Sequence, residues 1–106
     1  MDKELTLAEI RKAQAEIIVE MSKNGLTRSN QKRLEQASFH LRNIERLLVS
    51  LFEDELITAL KKEVLSLSSL TEKMSRTSER LTKMTGILRN IVKMTGQIID
   101  ILELAS

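Results

Sequence analysis

An all-α fold, an antiparallel helical bundle of three or four helices with a long C-terminal coiled-coil-like helix, follows from three features of this sequence. The 106 residues include no proline, three glycines and only two aromatics, Phe39 and Phe52, so nearly the whole chain is free to be helical. Apolar residues recur in alternating steps of three and four from Leu67 to Ala105, the period that gathers side chains on one helical stripe. No run shows the β-branched and aromatic alternation of a strand. At this length the chain is expected to form one domain, residues 1–106, around one core.

The first helix carries its own start signal. Thr6-Leu7-Ala8-Glu9 has the form of a capping box, with Leu5 and Ile10 placed as a hydrophobic staple. Its buried stripe reads Leu7, Ile10, Ala13, Ile17 and Met21, widened by Ile18. Asn24-Gly25 ends it, with glycine past the cap and Leu26 turning back to the core. A second helix starts between Thr27 and Asn30 and buries Leu34, Ala37, Leu41, Ile44, Leu48 and Leu51. Near Leu51 the stripe loses phase, and Phe52, Leu56, Leu60 and Val64 step by four. Glu53-Asp54-Glu55 suits a helix N-terminus, so a tight turn is expected at residues 50–54.

Beyond it lies the longest register. Leu67, Met74, Leu81, Leu88, Thr95 and Leu102 take the a positions, and Leu70, Thr77, Met84, Ile91, Ile98 and Ala105 the d positions. The flanking e and g positions are polar up to Arg80 and apolar from Ile87 onward. A stripe that wide calls for more than one partner helix. Ser69-Leu70-Thr71-Glu72 is another capping-box match, so residues 54–104 read as one helix or as two broken near Ser66–Ser69. Gly86 and Gly96 fall at f and b, on the outer side of this helix, as a close approach or as tolerated surface glycines. They end two similar tetrapeptides, Lys83-Met84-Thr85-Gly86 and Lys93-Met94-Thr95-Gly96, whose ten-residue offset turns about 80° around a helix and so gives no common face.

Several chemistries are excluded by what the chain lacks. Without cysteine there is neither disulfide nor thiolate metal site. His40 is the single histidine, with Gln36, Ala37, Asn43 and Ile44 as helical neighbours, so no metal or nucleophilic site is expected on it. No phosphate loop, nucleophile elbow or zinc-protease motif occurs, and Glu53, Asp54, Glu55 and Glu63 read as a solvated helix start. The expectation is a protein with no enzymatic activity, no cofactor, no membrane partner and a cytoplasmic location; the N-terminus lacks the pattern of a signal peptide.

Two functional candidates remain. The first is a helical protein–protein interaction module (scaffold, adaptor, chaperone or regulator) assembling through its C-terminal apolar stripe. Its expected interface is Leu81, Met84, Ile87, Leu88, Ile91, Val92, Met94, Ile98, Ile99 and Leu102, and its partner a second copy, as a dimer, or another helical protein. The second is a small nucleic-acid-binding regulator using Arg28, Lys32, Arg33, Arg42 and Arg46 on the basic face of residues 28–46. Against it, the net charge of only +2 is segregated into alternating segments. Residues 26–52 hold five basic and two acidic side chains, and 53–72 two and five, so lateral pairing of neighbouring helices would neutralise that face.

Overall fold

The computed structural model describes residues 2–105, and within them the chain is all-helical. Four helices follow one another: α1 (Asp2–Met21), α2 (Arg28–Val49), α3 (Asp54–Arg76) and α4 (Thr82–Leu104). They make a bundle 41 × 21 × 19 Å. Each helix packs on two others, in the ring order α1, α2, α4, α3, and the diagonal pairs do not meet.

Cross-links between helices give their directions. Lys3 Nζ donates to the Val49 carbonyl, Arg11 Nε to Glu45 and Gln14 Nε2 to the Leu41 carbonyl, so α1 and α2 run antiparallel. Glu9 meets Ser68, Glu16 meets Thr71 and Glu20 meets Arg80, a near-constant offset that makes α1 and α3 parallel. Asn30 meets Thr85 and His40 meets Thr95, so α2 and α4 are parallel as well. The link Ser50–Glu53 therefore crosses the end of the bundle, joining helices that are not neighbours. Consecutive helices alternate in direction, as expected, but α2 and α3 do not pack on each other.

Local chemistry accounts for the boundaries. Gly25 adopts φ +87°, the left-handed conformation that favours glycine, although α1 already ends at Met21. Thr27 caps α2, its side chain accepting from Asn30 N at 3.1 Å. Asp54 and Glu55 sit in the first turn of α3. The capping box expected at Thr6 is not used, because α1 begins at Asp2 and Thr6 is a buried residue inside it.

The long C-terminal helix is corrected. The chain breaks at Thr77–Leu81, one turn beyond the capping-box match at Ser69–Glu72, which lies inside α3. Thr77 closes α3 by donating its hydroxyl to the Lys73 carbonyl. Glu79 opens α4: its carboxylate accepts from the backbone N–H groups of Leu81, Thr82 and Lys83. The Lys83 and Leu81 amides lower the Glu79 carboxyl below its usual range. Register shifts too. In α4 the core is Met84, Leu88, Ile91, Thr95, Ile98 and Leu102, as the heptad predicts, widened by Ile87. In α3 it is Ile57, Leu60, Val64, Leu67, Thr71 and Met74, with Ser68 buried beside them, so Ile57 replaces Leu56 and Thr71 replaces Leu70 as the inward residues.

The same core register recurs along the chain. Every buried position of α2 has a buried counterpart 54 residues on in α4, from Asn30 and Met84 through Leu34 and Leu88 to Leu48 and Leu102. In α1, Ile10, Ala13, Ile17 and Glu20 likewise match Val64, Leu67, Thr71 and Met74. The residues differ at most of these pairs, so the recurrence is a matter of position.

Two measurements check this fold. Leu88 is fully buried, and Leu88→Asp places a carboxylate there at a cost of several kcal/mol, enough to unfold a domain of roughly 5–15 kcal/mol stability. Circular dichroism is expected to show loss of the cooperative melt. Glu79→Ala removes a carboxylate whose folded pKa is depressed below 4.5. Its contribution is present above that value and lost as pH falls through the folded pKa. The variant is expected to melt below the parent at neutral pH, with the gap closing under acid.

Candidate functional site

The expected oligomer stripe belongs to the chain's own core. Met84, Leu88, Ile91 and Ile98 are fully buried, and Leu102 and Ile87 nearly so, because α2 and α3 flank α4 on its two sides. Val92, Met94 and Ile99 are half-buried against that core, while Leu81 lies in the α3–α4 link and is 64% exposed. The wide stripe does find more than one partner helix, but α2 and α3 of the same chain supply them.

The basic face of α2 is divided. Arg28, Lys32, Arg42 and Arg46 are exposed, and Phe39, 57% exposed, stands among them at helical spacing. Arg33 turns away towards α4 and donates to Asn30 Oδ1 at 2.9 Å. Arg46 donates to Asn43 Oδ1. The expected lateral pairing with the acidic 53–63 segment does not occur among the described residues; Glu53, Asp54 and Glu55 stand at the opposite end of the bundle from Arg28 and Lys32, and α2 does not pack on α3.

Helix direction sorts charge along the long axis. The end where α2 and α4 begin holds Lys23, Arg28, Lys32, Arg76, Arg80 and Lys83. The other end holds Glu4, Glu53, Asp54, Glu55, Asp100 and Glu103. Three cations of α1 and α3 are matched: Arg11 to Glu45, Lys12 to Glu72, and Arg76 to Glu72. Arg11 and Gln14 hold the Glu45 carboxyl below its usual range, and Glu72 raises Lys12 above its own.

Sequence reasoning passed over the buried polar groups. Glu20 is fully buried near the end of α1, where it takes Arg80 Nη1 at 2.6 Å and Lys23 Nζ at 3.2 Å. Ser68 and Thr71 donate to Glu9 and Glu16, a polar seam between the two parallel helices. The two tetrapeptides do share a role: Thr85 and Thr95 both reach α2, at Asn30 and His40. The available signal was the matching ten-residue spacing of Asn30 and His40. The Thr95 hydroxyl lies within hydrogen-bond distance of the Ile91 and Val92 carbonyls of its own helix and, at 2.8 Å, of His40 Nδ1 on α2. His40 is thus a half-buried contact between α2 and α4.

Gly96 lies beside that contact, and a methyl group added there would meet His40 Cε1 at 3.8 Å, an ordinary contact. Gly86 faces open space. Among the described residues no group of three or more histidines, cysteines or carboxylates is placed to hold a metal ion, and no helix is long and apolar enough to cross a membrane. Comparison of the chain with protein-family models, curated proteins and solved structures finds no match. Gly86→Ala and Gly96→Ala are each expected to stabilise by up to ~1 kcal/mol, read as a higher melting temperature. A drop for Gly96→Ala alone would mean that α2 and α4 approach more closely than described.

Proposed function

We propose that this chain is a non-enzymatic helical protein–protein interaction module that assembles with a second copy of itself through the outer face of α1. One observation carries the reading: the outer face of α1 exposes large apolar side chains, set among the charged Glu4, Arg11 and Lys12. Leu5, Ile18 and Val19 are each more than half exposed, and Ala8 and Ala15 lie exposed between them. Leu65 of α3, half exposed, borders the same hollow as Leu5 and Ala8. Water-exposed apolar surface of this extent, on a bundle whose core is already closed, favours burial against another chain. A helical face offering small and branched side chains packs well on its own copy.

Sedimentation at micromolar concentration is expected to give twice the 12.1 kDa chain mass. Ile18→Lys with Val19→Lys is expected to return it to a monomer that still melts cooperatively, since neither side chain serves the core. A monomer at every concentration sinks the reading.

A nucleic-acid reading is favoured by a different observation. Arg28, Lys32 and Arg42 form no ion pair among the described residues, and exposed Phe39 stands between them. Phosphate contacts there would weaken steeply with salt. The expected result is no gel shift with DNA or RNA at any salt. A shift that disappears when Arg28, Lys32 and Arg42 are all changed to Gln would establish this second reading instead.

A further inference from the structure

The groove between α3 and α4 carries a chemistry that the bundle does not use. Lys73 of α3 and Lys83 and Lys93 of α4 line it along its length, and no carboxylate shares the lining. None of the three forms an ion pair among the described residues. Between them the floor is apolar: Leu70 and Met94 are half-buried there, and Ile87 lies just beneath the surface. Amides and hydroxyls, among them Asn90, Gln97 and Ser66, fill the remaining edges.

Three kinds of anionic partner can be weighed against that lining. A single nucleic-acid strand gains its affinity from stacking on aromatic rings, and neither Phe39 nor Phe52 borders the groove. A lipid surface is flat, whereas this floor is recessed between two helices. An amphipathic helix answers both halves of the lining at once: its apolar ridge, repeating at three and four residues, meets the floor, and acidic flanks meet the lysines. From Lys83 to Gln97 the groove runs on the order of 20 Å at the helical rise, about four turns of such a ligand.

We propose that the α3–α4 groove docks an acidic amphipathic helix of another protein. The proposal rests on the interaction-module reading but not on self-association through α1, whose exposed Leu5, Ile18 and Val19 do not line the groove. Long-range attraction by the basic end of the bundle speeds the encounter and weakens with salt. The apolar floor supplies the part that salt does not remove.

The test uses a labelled helical peptide of about 16 residues, roughly four turns, with leucines at three- and four-residue spacing and glutamates on both flanks. Its control carries lysine in place of each glutamate. Fluorescence anisotropy with the full chain is expected to show saturable binding of the acidic peptide at one per chain and none of the control. Changing Lys73, Lys83 and Lys93 together to Glu is expected to weaken binding more than tenfold, with a circular-dichroism melt confirming the fold. Should that variant not fold, the same three positions changed to Gln carry the test. Equal binding of both peptides, or unchanged affinity in the lysine variants, overturns the proposal. So does tighter binding of an oligodeoxythymidine that depends on the same lysines. The Ile18→Lys, Val19→Lys chain separates the two readings. A monomer that still binds the peptide leaves the groove standing without assembly, and a dimer that ignores the peptide does the reverse.

Discussion

A single buried carboxylate holds the arrangement that everything else depends on. Glu20, near the end of α1, draws Arg80 inward from the α3–α4 link. That contact, with Glu79 capping the next helix, keeps residues 77–81 out of a helical path that the sequence would otherwise allow. Bent there, the chain lays α4 back along α3 and beside α2, and the apolar stripe of α4 closes against its own molecule. Burying a charge is expensive, and a paired charge in a core is often no more stabilising than a hydrophobic residue of similar size. Met74 shows what the equivalent place in α3 holds. The pair is better understood as fixing where the chain turns.

What was legible in the sequence is what local chemistry decides. Gly25 marked the first turn, Thr27 the start of α2, Glu53 to Glu55 the second turn, and the heptad in α4 named its core correctly. What escaped was decided by contacts remote in sequence. Leu70 should outrank Thr71 for a core position on hydropathy alone. Yet Thr71 is fully buried, because Glu16 of α1, 55 residues away, accepts its hydroxyl proton. The break at Thr77–Leu81 escaped for the same reason, since the partner of Arg80 lies on α1. Serine and threonine between Ser66 and Thr85 looked like material that weakens helices. Several serve as polar seams between parallel helices instead.

Those seams follow from topology. Adjacent helices that run antiparallel are joined by short turns and find complementary partners locally. The parallel pairs here, α1 with α3 and α2 with α4, belong to different hairpins and must be brought into register by side chains. Glu9, Glu16 and Glu20 do this on one pair, Asn30 and His40 on the other. Hydrogen bonds to partly buried groups suit the purpose, because a slip of one turn would leave each donor or acceptor unpaired at a cost of roughly 1–3 kcal/mol. Register is thereby set by polar atoms, and the apolar positions, repeating every 54 residues, fall into one core.

Closing the core onto itself moves the question of function to the outside. The residues with the most apolar character per turn, Ile87 to Leu102, are mostly spent on folding. Two surfaces of opposite chemistry are left: the apolar outer face of α1, and the lysine-lined groove of α3 and α4. The second exists because several cations of α1 and of the α3 end meet carboxylates, whereas Lys73, Lys83 and Lys93 form no ion pair among the described residues and line a groove with no carboxylate in its lining. Helix direction produces that imbalance. With α2 and α4 parallel and both starting at the end where α1 and α3 finish, Arg28, Lys32 and Lys83 at their starts come together with Arg76 and Arg80 at one pole. On the reading proposed above, the exposed apolar residues of α1 would hold a second copy while the cationic groove holds an acidic protein, because the two surfaces do not overlap in their named residues.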